Sequence, residues 1–254
     1  LATPMTPHID INADLGECAP ADDAALMPFI SSANIACGLH AGSPQQMRET
    51  VGMCLAHGVA IGAHPSYLDR EHFGRRDMDV SASEVYALVQ YQIGALQAIA
   101  KGQDGQVTHV KPHGALYNRA AVDTTTADAI AQAIADIDRE LLLVGLANSE
   151  LLAAGRRSGL RTAAEGFADR GYNDDGLLLP RTQAGAHIDK VADAITQALS
   201  MLQRQTVTSI NGNTIALSID TLCVHGDGPH ALAFSSALHE TLTRHGIAIR
   251  AVRT

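Results

Sequence analysis

Acidic, histidine and lysine side chains that could do chemistry recur at the ends of short apolar runs in this sequence. The 254-residue chain contains six such runs, and each stops at a small polar cluster before a loop or a helix. Buried parallel strands are continuous apolar runs, and groups just past their carboxyl ends share one mouth in a closed α/β architecture. The pattern therefore predicts one polar site assembled from distant residues, which favours an enzyme. The clusters contain Asp14, Glu17, His40, His64, Lys111, His113, Glu165, His225 and Asp227.

Asp14 and Glu17 flank a glycine at the end of the first run. Two neighbouring carboxylates shift each other's pKa values apart, which suits one to act as a base and the other as an acid or a metal ligand. If this segment is a strand, Asn12 points to the same face as Asp14 and could bind substrate beside it. A solvated acidic turn is the alternative interpretation, and the position of Asn12 argues against it.

His40 and His64 each follow a predicted strand. With Asp14 they could form a two-histidine, one-carboxylate site for a divalent metal, with the open position that a catalytic metal requires. No local His-x-x-x-His spacing supports a metal, so the alternative stays open that these histidines only hydrogen-bond a substrate.

Lys111 precedes a proline, which favours an extended conformation, so its amine should project from a strand end beside His113. A cation placed there could hold a carboxylate or phosphate, or polarise a carbonyl. An ordinary surface lysine is the alternative. Cys223 lies two positions before His225, and we expect it to be a core residue rather than a nucleophile.

A long loop after Glu165 carries two further cations, Arg170 and Arg181, which could clamp an anionic ligand by bidentate pairing. His225 and Asp227 end the penultimate predicted strand, a place where phosphate groups often bind in barrels. The sequence has no Gly-x-x-x-x-Gly-Lys-Ser/Thr motif, so a nucleotide would be held without a P-loop.

The elements that must position these side chains alternate between strand and helix. Loops 66–79 and 166–188 interrupt the alternation, and loops of that length are commonly functional. We count about seven strand–helix units and predict one (β/α) barrel domain over residues 1–254, irregular or incompletely closed. The predicted helices cover residues 44–57, 81–102, 126–139, about 188–202 and 231–245, a hairpin turns at Asn211–Gly212, and a last strand covers 247–252.

Composition excludes several classes of protein. A net charge of −9 argues against nucleic-acid binding, which needs a basic face. No apolar stretch approaches the roughly 18 residues of a membrane helix, and the first residues lack the pattern of a signal peptide. The four cysteines are widely spaced, with no Cys-x-x-Cys pair. We expect a cytoplasmic protein with a small-molecule substrate.

Several long motifs, taken together, closely resemble those of the LamB/YcsF family. They cover nearly the whole chain in order, which makes the resemblance more specific than a lone short pattern. The matching segments are residues 10–17, 33–42, 62–67, 111–117, 165–170, 179–181 and 224–227.

The resemblance implies an irregular seven-stranded (β/α) barrel, similar to that of polysaccharide deacetylases. It also implies a 5-oxoprolinase, an ATP-dependent cyclic amide hydrolase that opens the lactam 5-oxoproline to L-glutamate together with two other subunits. ATP would be a co-substrate. Phosphorylation of the lactam oxygen would make the ring carbonyl carbon electrophilic, and the protein would supply a base, a cation and a lid.

Two other functions stay open at this point. The chain could be a metal-dependent amidase or deacetylase that acts alone, with Asp14, His40 and His64 holding the ion. It could also be a non-catalytic subunit that binds a lactam in the mouth of the barrel.

Overall fold

The computed structural model describes residues 7–17, 20–224 and 231–252. The strands are β1 (His8–Leu15), β2 (Ser32–Ala36), β3 (Ala60–His64), β4 (Val107–Val110), β5 (Leu142–Leu146), β6 (Thr162–Phe167), β7 (Thr206–Thr208), β8 (Thr214–Ala216), β9 (Thr221–Val224) and β10 (Ala248–Ile249). The helices are α1 (Pro20–Leu26), α2 (Pro44–His57), α3 (Ala82–Lys101), α4 (Gly114–Ala120), α5 (Thr124–Ile137), α6 (Glu150–Arg157), α7 (Val191–Arg204) and α8 (Ala231–Arg244).

Seven parallel strands close into a barrel. Strands β1 to β6 pair in chain order, and β9 closes the ring by pairing with both β6 and β1. The register shifts between β3 and β4, and β10 adds a short parallel pairing at the start of β1. The irregular seven-stranded (β/α) barrel predicted from the sequence is confirmed.

The first strand has two faces of different character. Ile9, Ile11, Ala13 and Leu15 are buried in the apolar core, whereas the side chain of Asn12 contacts residues of β6 and β9 across the barrel interior. This follows from the two-residue period of a strand, which sends alternate side chains to opposite faces. The barrel interior is therefore partly polar.

Helix ends follow the local capping signals. The capping box of Ser81 and Glu84 starts α3, and Gly58 with φ 68° ends α2. Helix α5 begins at Thr124, before the predicted residue 126, because the side chain of Asp123 accepts a hydrogen bond from the Thr126 amide. The predicted strand over 247–252 is reduced to Ala248–Ile249.

Two connections shape the region after β6. Strands β7 and β8 form the predicted antiparallel hairpin, with Gly212 at φ 83° in its turn. The long loop that follows β6 is tied to itself, since the Gly171 amide donates to Ala186 and the Leu179 amide donates to Gly171. Within the described ranges, no helix combines the length and the apolar character needed to cross a bilayer.

Candidate active site

A cavity of about 520 Å³ opens at the carboxyl ends of the barrel strands. Asp14, Glu17, His64, Lys111 and His113 line it, so the structure brings together residues predicted from five separate positions of the sequence. Other lining residues are Arg75, Tyr117, Phe167, Arg170, Leu178, Pro180 and Arg181. Polar groups on the strand side face Leu178, Pro180 and the two arginines of the long loop.

Lys111 follows β4 directly and lies almost wholly buried between carboxylates. Its ammonium nitrogen is 3.0 Å from Asp14 Oδ1 and 2.8 Å from Glu165 Oε1. It also donates to Asn12 Oδ1 at 3.1 Å and lies 3.1 Å from Cys223 Sγ. Burial alone would lower the pKa of Lys111, but the charge of Asp14 and the other acidic neighbours outweigh it and raise that pKa well above its ordinary value. The lysine is therefore a fixed positive charge.

Glu165 lies inside β6 rather than after it, because the strand continues to Phe167. Its side chain is fully buried in the barrel, and Tyr117 donates its hydroxyl to Oε2 at 2.6 Å. Asn12 donates to Oε1 at 3.0 Å. Glu165 was predicted to lie at the mouth of the barrel. It does not line the cavity itself, but its partners Lys111 and Tyr117 do.

His64 and His113 face each other with defined tautomers. Nδ1 of His64 donates to the Lys111 carbonyl at 2.7 Å, and Nε2 of His113 donates to the Phe73 carbonyl at 2.8 Å. A carbonyl can only accept, so each of these nitrogens carries a proton. The remaining nitrogens, His64 Nε2 and His113 Nδ1, lie 3.0 Å apart.

If both rings were neutral, the lone pairs of these two nitrogens would face each other and repel. The arrangement therefore favours a proton or a cation between them. Glu17 Oε1 lies 3.7 Å from His64 Nε2 and 3.3 Å from His113 Nδ1. Burial disfavours the charged form of His64, but Asp14 and Glu17 outweigh it and raise its pKa. Burial and the two neighbouring histidines lower the pKa of His113 well below its ordinary value. Of the two rings, His64 therefore has the environment that favours a proton, and His113 has the one that disfavours it.

The same cluster has the donor set of a divalent metal site. The ligand atoms of Glu17, His40, His64 and His113 lie within 4.8 Å of one another. His40 and His64 were predicted as ligands, whereas Glu17 and His113 complete the group where the sequence suggested Asp14. Metal-binding histidines characteristically donate their other nitrogen to a carbonyl, as His64 and His113 do. The residues therefore fit a metal.

His40 differs from the other two histidines of this cluster. Its Nε2 contacts Glu17 Oε1 at 2.7 Å, and its ring stacks on that of His113 with centroids 3.8 Å apart. Its Nδ1 is buried without a hydrogen-bond partner among the described residues. Because it lacks the carbonyl anchor of a typical ligand, His40 is placed to hold Glu17.

The two arginines of the long loop have different surroundings. Arg170 is buried, and its guanidinium donates to the carbonyls of Ala186 and Leu179 at 2.9 and 2.6 Å. Arg181 is partly exposed at the cavity lining. His225 and Asp227, also predicted here, lie outside the described residues.

Sequence reasoning missed four residues of the site, namely Asn34, His109, Tyr117 and Arg75. Asn34 pairs in register with Asp14, and His109 lies two residues before Lys111 on the same strand face. The two-residue period of a strand could have identified His109. Tyr117 lies one helical turn after His113, which is also a local signal. Arg75 is one of several charged residues in a loop without periodicity, so nothing distinguished it.

The fold and the site define a (β/α) barrel with an acid–base and metal-type cluster at its carboxyl-end mouth, the arrangement of a barrel hydrolase. The chain belongs to the LamB/YcsF family, whose model matches residues 9–254. It is 51% identical over 251 residues to a protein of Bordetella parapertussis that is named as a subunit of 5-oxoprolinase, covering 97% of this chain and all of that one. The family resemblance of the sequence motifs is confirmed.

Solved structures agree with this assignment. The crystal structure of a lactam utilization protein from Thermus thermophilus matches with a TM-score of 0.90 and 43% identity, over 96% of this chain and all of that chain. A peptidoglycan deacetylase from Bacillus subtilis matches with a TM-score of 0.50 and 14% identity, over 99% of this chain and 90% of that chain. At that identity the second match shows a shared fold alone.

Proposed function

We propose that this chain opens the lactam ring of 5-oxoproline as one component of an ATP-dependent 5-oxoprolinase. The observation that carries the proposal is the cavity in which Asp14, Glu17, His64 and Lys111 meet. The names of the Bordetella and Thermus relatives, which refer to 5-oxoprolinase and to lactam utilization, support the choice of substrate.

The reaction requires activation because a lactam is an unreactive amide. Transfer of a phosphoryl group from ATP to the lactam oxygen makes the ring carbonyl carbon electrophilic and provides a good leaving group. Water then attacks that carbon, and the carbon–nitrogen bond breaks to give γ-glutamyl phosphate. A second water displaces phosphate from this acyl phosphate, so glutamate, ADP and phosphate are the products of two water molecules and one ATP. The sequence has no P-loop, so we assign the phosphoryl transfer to two partner subunits and the ring opening to this chain.

Asp14 is the proposed base. Lys111 contacts Oδ1, whereas Oδ2 lies 3.3 Å from His64 Nε2 at the cavity lining. Oδ2 takes a proton from the attacking water and returns it to the ring nitrogen as the bond breaks. Lys111 lies 3.0 Å from Asp14 and stabilises its negative charge, and Glu165 holds Lys111 in place at 2.8 Å.

The anionic groups of the substrate need cations at the outer part of the cavity. Lys111 lies deep in the barrel, with four polar partners within the protein, so we propose Arg181 and Arg75, at the outer cavity lining, for the carboxylate or phosphoryl oxygens. Arg170 supports this wall by fixing the loop carbonyls that follow it. His225 and Asp227 stay predictions for the same role.

Glu17, His64 and His113 would hold a divalent metal, with His40 orienting Glu17. When bound, the ion would polarise the carbonyl or lower the pKa of water. Calorimetric titration of chelator-treated protein with Zn²⁺ or Mn²⁺ should show one site that His113→Gln weakens. The matched control is His57→Gln, which changes an exposed histidine of α2. Equal affinity in both variants would exclude this ligand set.

Glutamate release should be measured with the chain alone and again with its partner subunits, each with and without ATP. We expect turnover only in the complete, ATP-containing mixture. Robust ATP-coupled turnover by the single chain would refute the need for partners.

A second candidate, a metal-dependent amidase that acts alone, is favoured by the Glu17 and histidine cluster. That enzyme would hydrolyse simple amides without ATP and would lose activity to a chelator, so the same preparations distinguish the two functions.

A further inference from the structure

We propose that Asn34 and His109 are positioning residues that fix the orientation of the Asp14 carboxylate. The proposal rests on the role of Asp14 in ring opening given above. Neither residue lines the cavity, and both are buried inside the barrel, so they act on the reaction through neighbouring side chains such as Asp14 and do not touch substrate.

The chain of contacts starts at the charged pair of Lys111 and Glu165. Asn12 lies between them, with Oδ1 accepting from Lys111 at 3.1 Å and Nδ2 donating to Glu165 at 3.0 Å. A flipped amide would set its NH₂ group against the ammonium and its oxygen against the carboxylate. The orientation of Asn12 is therefore dictated by the two charges.

Asn12 in turn dictates the orientation of Asn34. One Asn34 Nδ2 proton goes to Asn12 Oδ1 at 2.8 Å, and the other goes to Asp14 Oδ1 at 2.9 Å. The Asn34 oxygen then points away from both and accepts from His109 Nε2 at 3.0 Å. Because an amide oxygen can only accept, His109 carries its proton on Nε2.

The result at Asp14 is a carboxylate whose Oδ1 receives two side-chain donors. Oδ1 receives Asn34 and Lys111, at 2.9 and 3.0 Å, and these two donors fix the plane of the group. Oδ2 faces His64 and the cavity. A reversed Asn34 would present an oxygen to Asp14 and would repel the ionised base.

The residues of this arrangement lie in a single row across four strands, and a glycine in the row leaves space for the His109 ring. Asp14, Asn34, Gly62 and His109 are successive register partners on β1, β2, β3 and β4. A Cβ atom at Gly62 would lie 2.1 Å from His109 Nε2, so the glycine is what allows the imidazole to reach Asn34. Any larger residue at that position would push the ring out of the row.

The test compares His109→Leu, which removes the donor, with His109→Gln, whose amide nitrogen can occupy the place of Nε2. Both are assayed for ATP-dependent glutamate release with the partner subunits. We expect His109→Leu to lower kcat by about 10- to 100-fold, as loss of a supporting hydrogen bond does, with KM close to the wild-type value. His109→Gln should restore most of the rate. Ser149→Ala, which removes a buried N-cap of α6 away from the cavity, is the control for stability and should leave kcat unchanged.

Two results would overturn the proposal: a wild-type kcat in His109→Leu, or equal damage in the leucine and glutamine variants. A measurement on the unmodified chain keeps the test decisive if the leucine variant does not fold. Nitrogen-15 NMR of the histidine rings, assigned by the signal lost in His109→Gln, should show a neutral His109 with its proton on Nε2. A proton on Nδ1 would overturn the orientation. Absence of turnover in the wild-type mixture would instead refute the proposed function, and the NMR result would still decide the orientation.

Discussion

Two aspartates on the same strand, Asp10 and Asp14, show how the two ends of the barrel interior differ. Asp10, near the amino end of β1, is surrounded by neutral hydroxyl groups. It accepts from Ser31 at 2.6 Å, Ser32 at 2.7 Å and Thr221 at 2.5 Å. Asp14, near the carboxyl end, contacts a lysine and a histidine and reaches the cavity.

The comparison shows that the neighbours of an aspartate, rather than its residue type, determine whether it has a structural or a catalytic role. Burial raises the pKa of Asp10, and hydroxyl donors oppose that effect while using both of its oxygens. At Asp14 a buried cation supplies the opposing charge on one oxygen, and the other oxygen faces the cavity. Substitution of Asp14 should therefore mainly damage turnover, and substitution of Asp10 should mainly damage stability.

The largest effect is expected for Asp14→Asn. Asparagine can still accept from Lys111 and Asn34, so folding should be preserved, but it cannot take a proton from water. We expect a fall in turnover of about 100- to 10,000-fold, the usual contribution of a general base. Glutamate release and thermal unfolding measured on one preparation separate the two properties. A near-wild-type rate would remove Asp14 from the mechanism.

Lys111→Met should mainly destabilise the fold. It leaves Asp14 and the fully buried Glu165 without their cation, and breaking such a buried pair costs about 3–5 kcal/mol. Urea denaturation measures this loss. The double variant Lys111→Met with Glu165→Gln removes one uncompensated charge and should recover part of the unfolding free energy. No recovery would show that the charge of Glu165 is not the cause.

Asp10→Asn should have the opposite pattern to Asp14→Asn. Its amide can accept from the two serines, but the Thr221 hydroxyl loses its acceptor. Leaving one buried donor unsatisfied costs about 1–3 kcal/mol, so we expect a lower urea midpoint with turnover close to wild type. A loss of turnover comparable to that of Asp14→Asn would break the distinction between the two ends.

A third carboxylate, Asp23, sharpens the comparison through the pH dependence of the unfolding free energy. It accepts from the Gly16 amide at 2.8 Å, and burial raises its pKa from 3.8 to about 6. Between these values the folded state holds more protons than the unfolded state, so unfolding free energy falls as pH rises from 4 to 6. Asp23→Asn lacks this contribution. Urea titrations at several pH values should show the wild-type free energy, relative to the variant, decreasing with pH, and a constant difference would contradict the pKa.

Local signals predicted much of the fold because they act within a few residues. The capping box at Ser81, the glycine after His57 and the turn at Asn211–Gly212 each determine an element end through nearby backbone groups. Strand ends were less predictable, as at Glu165, because the length of β6 depends on its pairing with β9. That pairing involves residues remote in sequence.

The site was predictable in its residue types and less so in their grouping. Asp14, His64, Lys111 and His113 were identified because each ends an apolar run. The contact of Glu17 with the histidines, and the row that joins Asn34 to His109, depend on barrel closure and strand register. No local pattern in the sequence encodes those distances.

Because β9 pairs with β1, the barrel can close only late in synthesis on the ribosome. Asn12 and Thr221, which are hydrogen-bonded in the barrel, are separated by 209 positions in sequence. A nascent chain therefore exposes the polar face of its first strand, without the Thr221 partner that Asp10 and Asn12 share, until β9 has emerged. Pairings over such distances form slowly, since the intervening chain must first be confined. A fragment that ends before β9 would leave that strand edge unpaired and prone to aggregation, which makes β9 the last element needed for a stable barrel.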